Sequence, residues 1–162
     1  MSENKINIKV KDIMTKDVIS VSLDTKITDV ADILFKNRFQ GVPVLSGGKI
    51  MGMILQKDFF TRDSSNPYLP SYFKFLRENK EKQKLSKEET DKVDRLLNSE
   101  AKDIMSEDYV SILQDMDIQS LLFFFRTTKF PSIPVIDDKN NLVGIITVSD
   151  VLNLLKDGKL EK

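Results

Sequence analysis

The chain has no cysteine and no histidine. Without cysteine there are no disulfides, thiol nucleophiles or zinc–thiolate sites. Without histidine there is no Ser-His-Asp triad, no imidazole general base and little scope for a transition-metal site. Charge of one sign is also missing: Lys+Arg and Asp+Glu both number 25, for a formal net charge of zero. A protein that grips nucleic acid through its backbone carries a basic excess, so that class is set back. Long apolar runs are absent, the densest being Leu121–Phe125, far short of a bilayer span. The opening Met1-Ser2-Glu3-Asn4-Lys5 lacks the apolar stretch of a signal peptide, and the expectation is a soluble, cytoplasmic protein. Neither G-x-G-x-x-G nor G-x-x-x-x-G-K-[ST] occurs, so no Rossmann or P-loop phosphate site is indicated. What remains is ordinary globular material, 40% hydrophobic and 31% charged over 162 residues, enough for one domain or two small interlocked ones.

The informative feature is an internal repeat. Val10-Lys11-Asp12-Ile13-Met14-Thr15 matches Ala101-Lys102-Asp103-Ile104-Met105-Ser106 at an offset of 91. The same offset pairs Asp17/Asp108, Ser20/Ser111, Asp24/Asp115, Ile27/Ile118, Phe39/Phe130, Pro43/Pro134 and Val44/Val135. After one extra turn residue it becomes 92 and pairs Gly52/Gly144, Ile54/Ile146 and Asp58/Asp150.

Each copy predicts the same order of elements. A brief strand (Val18–Val21; Tyr109–Leu113) leads to a helix near Lys26–Asn37 and Asp117–Thr127, where Ile27, Val30, Ile33 and Leu34 recur at helical spacing. Two strands follow, Val42–Leu45 with Ile50–Leu55 and Ile133–Ile136 with Leu142–Val148, then a helix near Lys57 or Ser149. Ser46-Gly47-Gly48 reads as a hairpin turn, and Asp137–Asn141 as its longer counterpart. Pro43 and Pro134, unable to donate to a ladder, predict edge-like strands or strand starts. Between the copies, Asp63–Pro70 reads as a loop. Ser71 caps a helix carrying Tyr72, Phe73, Phe75 and Leu76, and Ser86 with Glu89 has capping-box spacing before a helix with Val93, Leu96 and Leu97. Mixed charge across this insert predicts a solvated face. Asp12, Asp17, Asp103 and Asp108 could hold a hard cation, but their duplication favours helix caps.

With D-I-M-[ST] opening each copy, x-P-V in its middle and G-h-h-T-x-S-D closing the second, the sequence resembles the CBS domain, the module named after cystathionine β-synthase. The resemblance covers both repeats and implies an α/β (α+β) fold, two β-α-β-β-α repeats packed around a pseudo-twofold axis. The first repeat is 8–62, a helical insert 63–100 and the second repeat 101–157, together one CBS-pair module. It also implies two clefts for an adenosine-containing ligand such as AMP, ADP, ATP or S-adenosylmethionine, and twofold assembly of two such pairs through the repeat helices.

By that resemblance one cleft combines Thr147, Ser149 and Asp150 with Met14, Thr15, Phe39, Gln40 and Gly41. The other combines Lys57 and Asp58 with Met105, Ser106, Phe130, Pro131 and Ser132. The residues themselves agree on the first. A carboxylate such as Asp150 is acceptor-only and suits ribose hydroxyls. Hydroxyls at a helix start, Thr147 and Ser149, sit where free N–H groups and the dipole favour phosphate. Helix capping is the rival use of Ser149 and Asp150. The second cleft departs from the pattern, with Leu55 at the hydroxyl position and Lys57 in place of Ser149. Phe39 and Phe130 suit base stacking or core packing. Three functions compete: a nucleotide-binding regulatory module with a regulatory rather than catalytic ligand, a dimerising adaptor with vestigial clefts, and, well behind, an enzyme, for which no paired carboxylate site is visible and no metal is expected. Five consecutive apolar residues, Leu121–Phe125, go right round a helix and predict a homodimer.

Overall fold

The computed structural model describes residues 8–59 and 87–156. The first repeat contains α1 (Val10–Ile13), β1 (Val21–Ser22), α2 (Ile27–Asn37), β2 (Gly41–Ser46), β3 (Lys49–Leu55) and a 3-10 turn, Gln56–Phe59. Then come α3 (Lys87–Asn98), α4 (Ala101–Ile104), β4 (Ile112–Leu113), α5 (Ile118–Thr127), β5 (Ser132–Ile136), β6 (Leu142–Thr147) and α6 (Val148–Lys156). The loop over Asp63–Pro70, the aromatic helix from Ser71 and the cap residue Ser86 lie outside the described residues.

Each repeat builds a three-stranded sheet, ordered β1-β2-β3 and β4-β5-β6. The first and second strands run parallel, β1 to β2 through Val21–Val44 and β4 to β5 through Ile112–Val135. The hairpin turn has Gly47 at φ 58 and Gly48 at φ 80, backbone that a side chain would strain. The longer turn is held by Asp137 Oδ1, which accepts from the N–H groups of Lys139 and Asn141 at 2.8 Å each.

Pro43 and Pro134 lie in the central strands, not at edges. The reason is local. Pro134 pairs with Ile145, whose N–H and C=O are both spent on Thr15 at 2.9 Å. The proline nitrogen therefore faces the β4 side, where pairing begins only at Val135. No ladder hydrogen bond is lost, so the rule against proline in a central strand does not apply.

The compact units do not follow the sequence repeats. One unit takes the chain up to Ile19 together with everything from Tyr109 (and the turn Gly47–Lys49); the other takes Ser20–Ser46 and Ile50–Asp108. We call them the second-repeat and first-repeat units after their sheets. Each therefore borrows its opening segment. In the second-repeat unit Val10 N–H donates to Met116 O and Lys11 N–H to Gln114 O, both at 2.9 Å, and Ile118 N–H donates to Ile8 O at 3.0 Å. In the first-repeat unit Ala101 N–H donates to Thr25 O at 2.8 Å, Lys102 N–H to Leu23 O at 3.0 Å and Ile27 N–H to Ser99 O at 2.9 Å. The apolar residues of the borrowed segments complete the cores. Val10 is fully buried with Ile112, Ile118, Leu121, Ile133 and Val135; Ala101 and Ile104 are buried with Val30, Leu34, Val42 and Ile54. Burying a valine side chain contributes about 1.5–3 kcal/mol, so Val10 helps hold an exchange that sequence distance disfavours.

Helix starts are carried by a recurring carboxylate arm. Asp12 Oδ2 accepts from Lys9 N–H and Asp103 Oδ2 from Glu100 N–H, each at 2.8 Å. This is the third-residue half of a capping box, and it accounts for the aspartate of D-I-M. α5 instead has a side-chain N-cap, Asp117 accepting from Ser120 N–H at 2.9 Å.

Helix α5 is not uniformly apolar in its surroundings. Leu121 is buried, and Phe124 and Phe125 are partly buried against the core of their own unit, while Leu122 and Phe123 are exposed. Phe59, Val151 and Leu154 are also buried, whereas Phe35, Val148 and Leu152 are exposed. The outward apolar surface is thus narrower than five consecutive apolar residues imply, because the borrowed segment and α6 share the covering with the sheet. Phe60 lies outside the described residues.

Candidate functional site: the turn after the third strand

In the second-repeat unit, β6 ends at Thr147 and α6 starts at Val148. Asp150, three residues on, folds back: its Oδ2 accepts from Thr147 N–H at 2.7 Å and from the Thr147 hydroxyl at 2.8 Å. Asp150 is therefore the third-residue arm of this helix start, the same device as Asp12 and Asp103, rather than its N-cap. Both bonds fall on one oxygen, which leaves Oδ1 for another donor. Ser149 is exposed, and Ser132 lies opposite Thr147 in the sheet with only 5% of its surface accessible.

The opening segment of the first repeat runs directly against this strand. Thr15 and Ile145 exchange two main-chain hydrogen bonds of 2.9 Å. Met14 lies on Gly144: a Cβ on that glycine would stand 2.4 Å from Met14 Sδ and 3.1 Å from Thr15 O. The glycine is needed for this close approach, not for its φ.

The first-repeat unit repeats the backbone. Asp58 Oδ2 accepts from Leu55 N–H at 2.7 Å. Met53 and Ser106 exchange hydrogen bonds of 3.0 and 2.9 Å, and a Cβ on Gly52 would stand 2.8 Å from Ser106 O and 3.0 Å from Met105 Sδ. Asp58 is half-buried, and burial pushes its carboxyl above the ordinary aspartate value against the opposing pull of the Leu55 N–H and the Lys57 charge. Lys57 is exposed.

The structure thus brings Met14, Thr15, Phe130, Pro131, Ser132, Thr147, Ser149 and Asp150 into one unit, and Phe39, Gln40, Gly41, Lys57, Asp58, Met105 and Ser106 into the other. Within a unit each turn meets the borrowed opening segment and the residues before its own x-P-V strand. Phe39 and Phe130 are partly buried and pack against the cores of their own units. Two features escaped sequence reasoning. One is the methionine–glycine contact, although D-I-M and the strand glycine recur together at nearly the same offset. The other is Gln56, whose Nε2 donates to Phe39 O at 2.7 Å. Among the described residues no group of His, Cys, Asp or Glu is arranged to hold a metal ion, and no helix is long and apolar enough to cross a membrane.

Duplicated sheet–turn–helix units with exchanged openings define a tandem-repeat α/β module. Residues 10–64 and 101–157 each match the CBS domain family, and the chain belongs to that family. It is 30% identical over 164 residues to an uncharacterized protein of Methanocaldococcus jannaschii, covering 94% of this chain and 96% of that protein. Among solved structures, protein MJ1225 of the same organism superposes with a TM-score of 0.71 at 25% identity, over 92% of this chain and 48% of that one. CBSX2 in complex with AMP superposes with a TM-score of 0.66 at 19% identity, over 93% of this chain and 98% of that one.

Proposed function

We propose that the protein is a regulatory module that senses an adenosine-containing ligand, with AMP the first candidate, and carries out no chemistry on it. The observation that supports this most is the half-used carboxylate of Asp150. Its Oδ2 is occupied by Thr147, no bond to Oδ1 is seen among the described residues, and the neighbouring Ser149 in the first turn of α6 is exposed. A carboxylate accepts both hydroxyls of a ribose, and the N–H groups of a nine-residue helix start favour an attached phosphate. The CBSX2 complex supports AMP as the first compound to try.

The module acts as a homodimer in this reading. Leu122 and Phe123 of α5 and Val148 and Leu152 of α6 are exposed in the same unit, and Phe35 of α2 is 83% exposed. A monomer seldom leaves that much apolar surface bare, and closed twofold symmetry covers it.

The test of sensing is thermal. A ligand that binds only the folded state stabilises it by about 2.7 kcal/mol at a hundred times its Kd. AMP, ADP, ATP and S-adenosylmethionine should be titrated against the melting transition. A rise with any of them is expected. If none moves the transition at millimolar concentration, the sensing reading fails and a dimerising adaptor takes its place.

A further inference from the structure

Both repeats possess the turn, yet they treat its polar neighbours in opposite ways. In the first-repeat unit Gln56 staples the turn to the α2–β2 connection. Its main-chain N–H donates to Gln40 O at 3.0 Å and its Nε2 to Phe39 O at 2.7 Å. Leu55 is 5% exposed, and its Cδ2 fills the space above Gly41, 2.4 Å from where a Cβ would stand. The place above Gly41 is therefore occupied by an aliphatic side chain, and the Phe39 carbonyl is already bonded.

The repeat register gives the counterpart of each residue in the second-repeat unit: Thr147 for Leu55, Val148 for Gln56, Ser132 for Gly41 and Phe130 for Phe39. Val148 has no side-chain amide, so nothing staples this turn in the same way. Among the described residues, Phe130 O accepts no hydrogen bond and the Ser132 hydroxyl makes none. A hydroxyl and a carbonyl that the chain itself leaves unbonded are open to a partner from outside the chain.

We infer that the first-repeat turn is a self-filled site. Leu55 and Gln56 occupy it from within, and these two residues limit the chain to one adenosine-type ligand. The inference rests on the reading of the second-repeat turn given above. It also identifies what distinguishes a turn that binds from one that does not. The aspartate is common to both; the difference lies in the residue at the strand end, the residue after it, and the first residue of the central strand.

Equilibrium dialysis with radiolabelled AMP on the full chain tests it. The wild type should bind one equivalent and Asp150→Ala none. Leu55→Thr/Gln56→Val placed on Asp150→Ala should bind one again, now at the first-repeat turn. Two equivalents on the wild type, or one retained by Asp150→Ala, overturn the inference while leaving nucleotide sensing intact. Binding by the wild type with none regained by the opened variant overturns the role of Leu55 and Gln56. No binding by the wild type defeats the sensing reading; one equivalent on the opened variant would then still support the self-filled turn, and none would defeat both. If the opened variant does not fold, the reverse graft is read instead. Ser132→Gly/Thr147→Leu/Val148→Gln should close the second-repeat turn and abolish AMP binding, and retained binding overturns the inference.

Discussion

At the end of β6 a threonine and an aspartate close a turn whose neighbours are hydroxyls. At the end of β3 a leucine and an aspartate close the same turn beneath an aliphatic side chain and a glutamine. The bonds common to both units are those that build them: the carboxylate arm three residues into a helix start, the two-way bridge between opening segment and third strand, and the methionine resting on a glycine. One bond that differs lies at the strand end, where Gln56 reaches Phe39 O at 2.7 Å and the second-repeat unit, among the described residues, has no equivalent. Duplication followed by divergence has kept the scaffold and altered the surroundings of the carboxylate. The same carboxylate therefore stands in two different surroundings in the two units.

The largest effect that would sharpen the comparison concerns the two strand glycines. A Cβ at Gly52 meets a main-chain oxygen, Ser106 O, at 2.8 Å, and that oxygen is fixed by the bridge to Met53. A Cβ at Gly144 meets mainly Met14 Sδ at 2.4 Å, the far end of a flexible side chain, with Thr15 O farther off at 3.1 Å. Overpacking costs about 1–3 kcal/mol, and a rigid neighbour puts the cost near the top of that range. Gly52→Ala should thus be more destabilising than Gly144→Ala in denaturant titrations. Met14→Ala should relieve part of the Gly144→Ala cost in a double-mutant cycle, and Met105→Ala should relieve little of the Gly52→Ala cost. Equal losses, or better rescue at Gly52, would contradict this account of the two contacts.

A second difference lies on the helices. Phe123 of α5 is 66% exposed, whereas Phe124 packs on its own core. Sedimentation velocity should find the wild type dimeric and Phe123→Asp monomeric with an unchanged fold. Phe124→Asp should damage folding instead, so it is the poorer probe of assembly. A wild-type monomer at micromolar concentration would sink the homodimer.

Much of this was legible in the residues. Helical spacing placed α2 and α5 to within a residue, because Ile27, Val30 and Leu34, like Ile118 and Leu121, must face one core. Glycines at positive φ placed the hairpin. The exchange of opening segments was not legible from composition or periodicity, since a short amphipathic segment has the same pattern whichever sheet it covers. The central position of the prolines was missed for a related reason: whether a missing N–H matters depends on how far the neighbouring strand extends, and β1 and β4 have only two residues each. At the site, the aspartates were visible from the repeat, but Leu55 over Gly41 and Gln56 on Phe39 O are contacts between residues 14 and 17 positions apart in sequence, which no local motif encodes.

The smallest expected effect separates the two units by salt. Asp115 lies between the ammonium groups of Lys11 at 2.7 Å and Lys9 at 3.1 Å, and these bonds hold its carboxyl below the ordinary value. Its counterpart Asp24 is also lowered, but chiefly by the hydroxyl of Ser22 at 2.5 Å. For both groups the folded value lies below the unfolded one. Their stabilisation is therefore complete above the unfolded value and is lost as pH falls through the folded value. Asp115→Asn and Asp24→Asn should each lower the denaturation midpoint slightly at neutral pH and leave it unchanged in strong acid. Salt should part them. Exposed ion pairs are screened, with a Debye length of about 3 Å at 1 M, whereas a hydroxyl–carboxylate bond is less affected. The Asp115→Asn effect should fade at high salt while the Asp24→Asn effect persists. Equal fading of both would mean that the borrowed first-repeat opening is not held electrostatically by Asp115 in the way its two lysine contacts indicate.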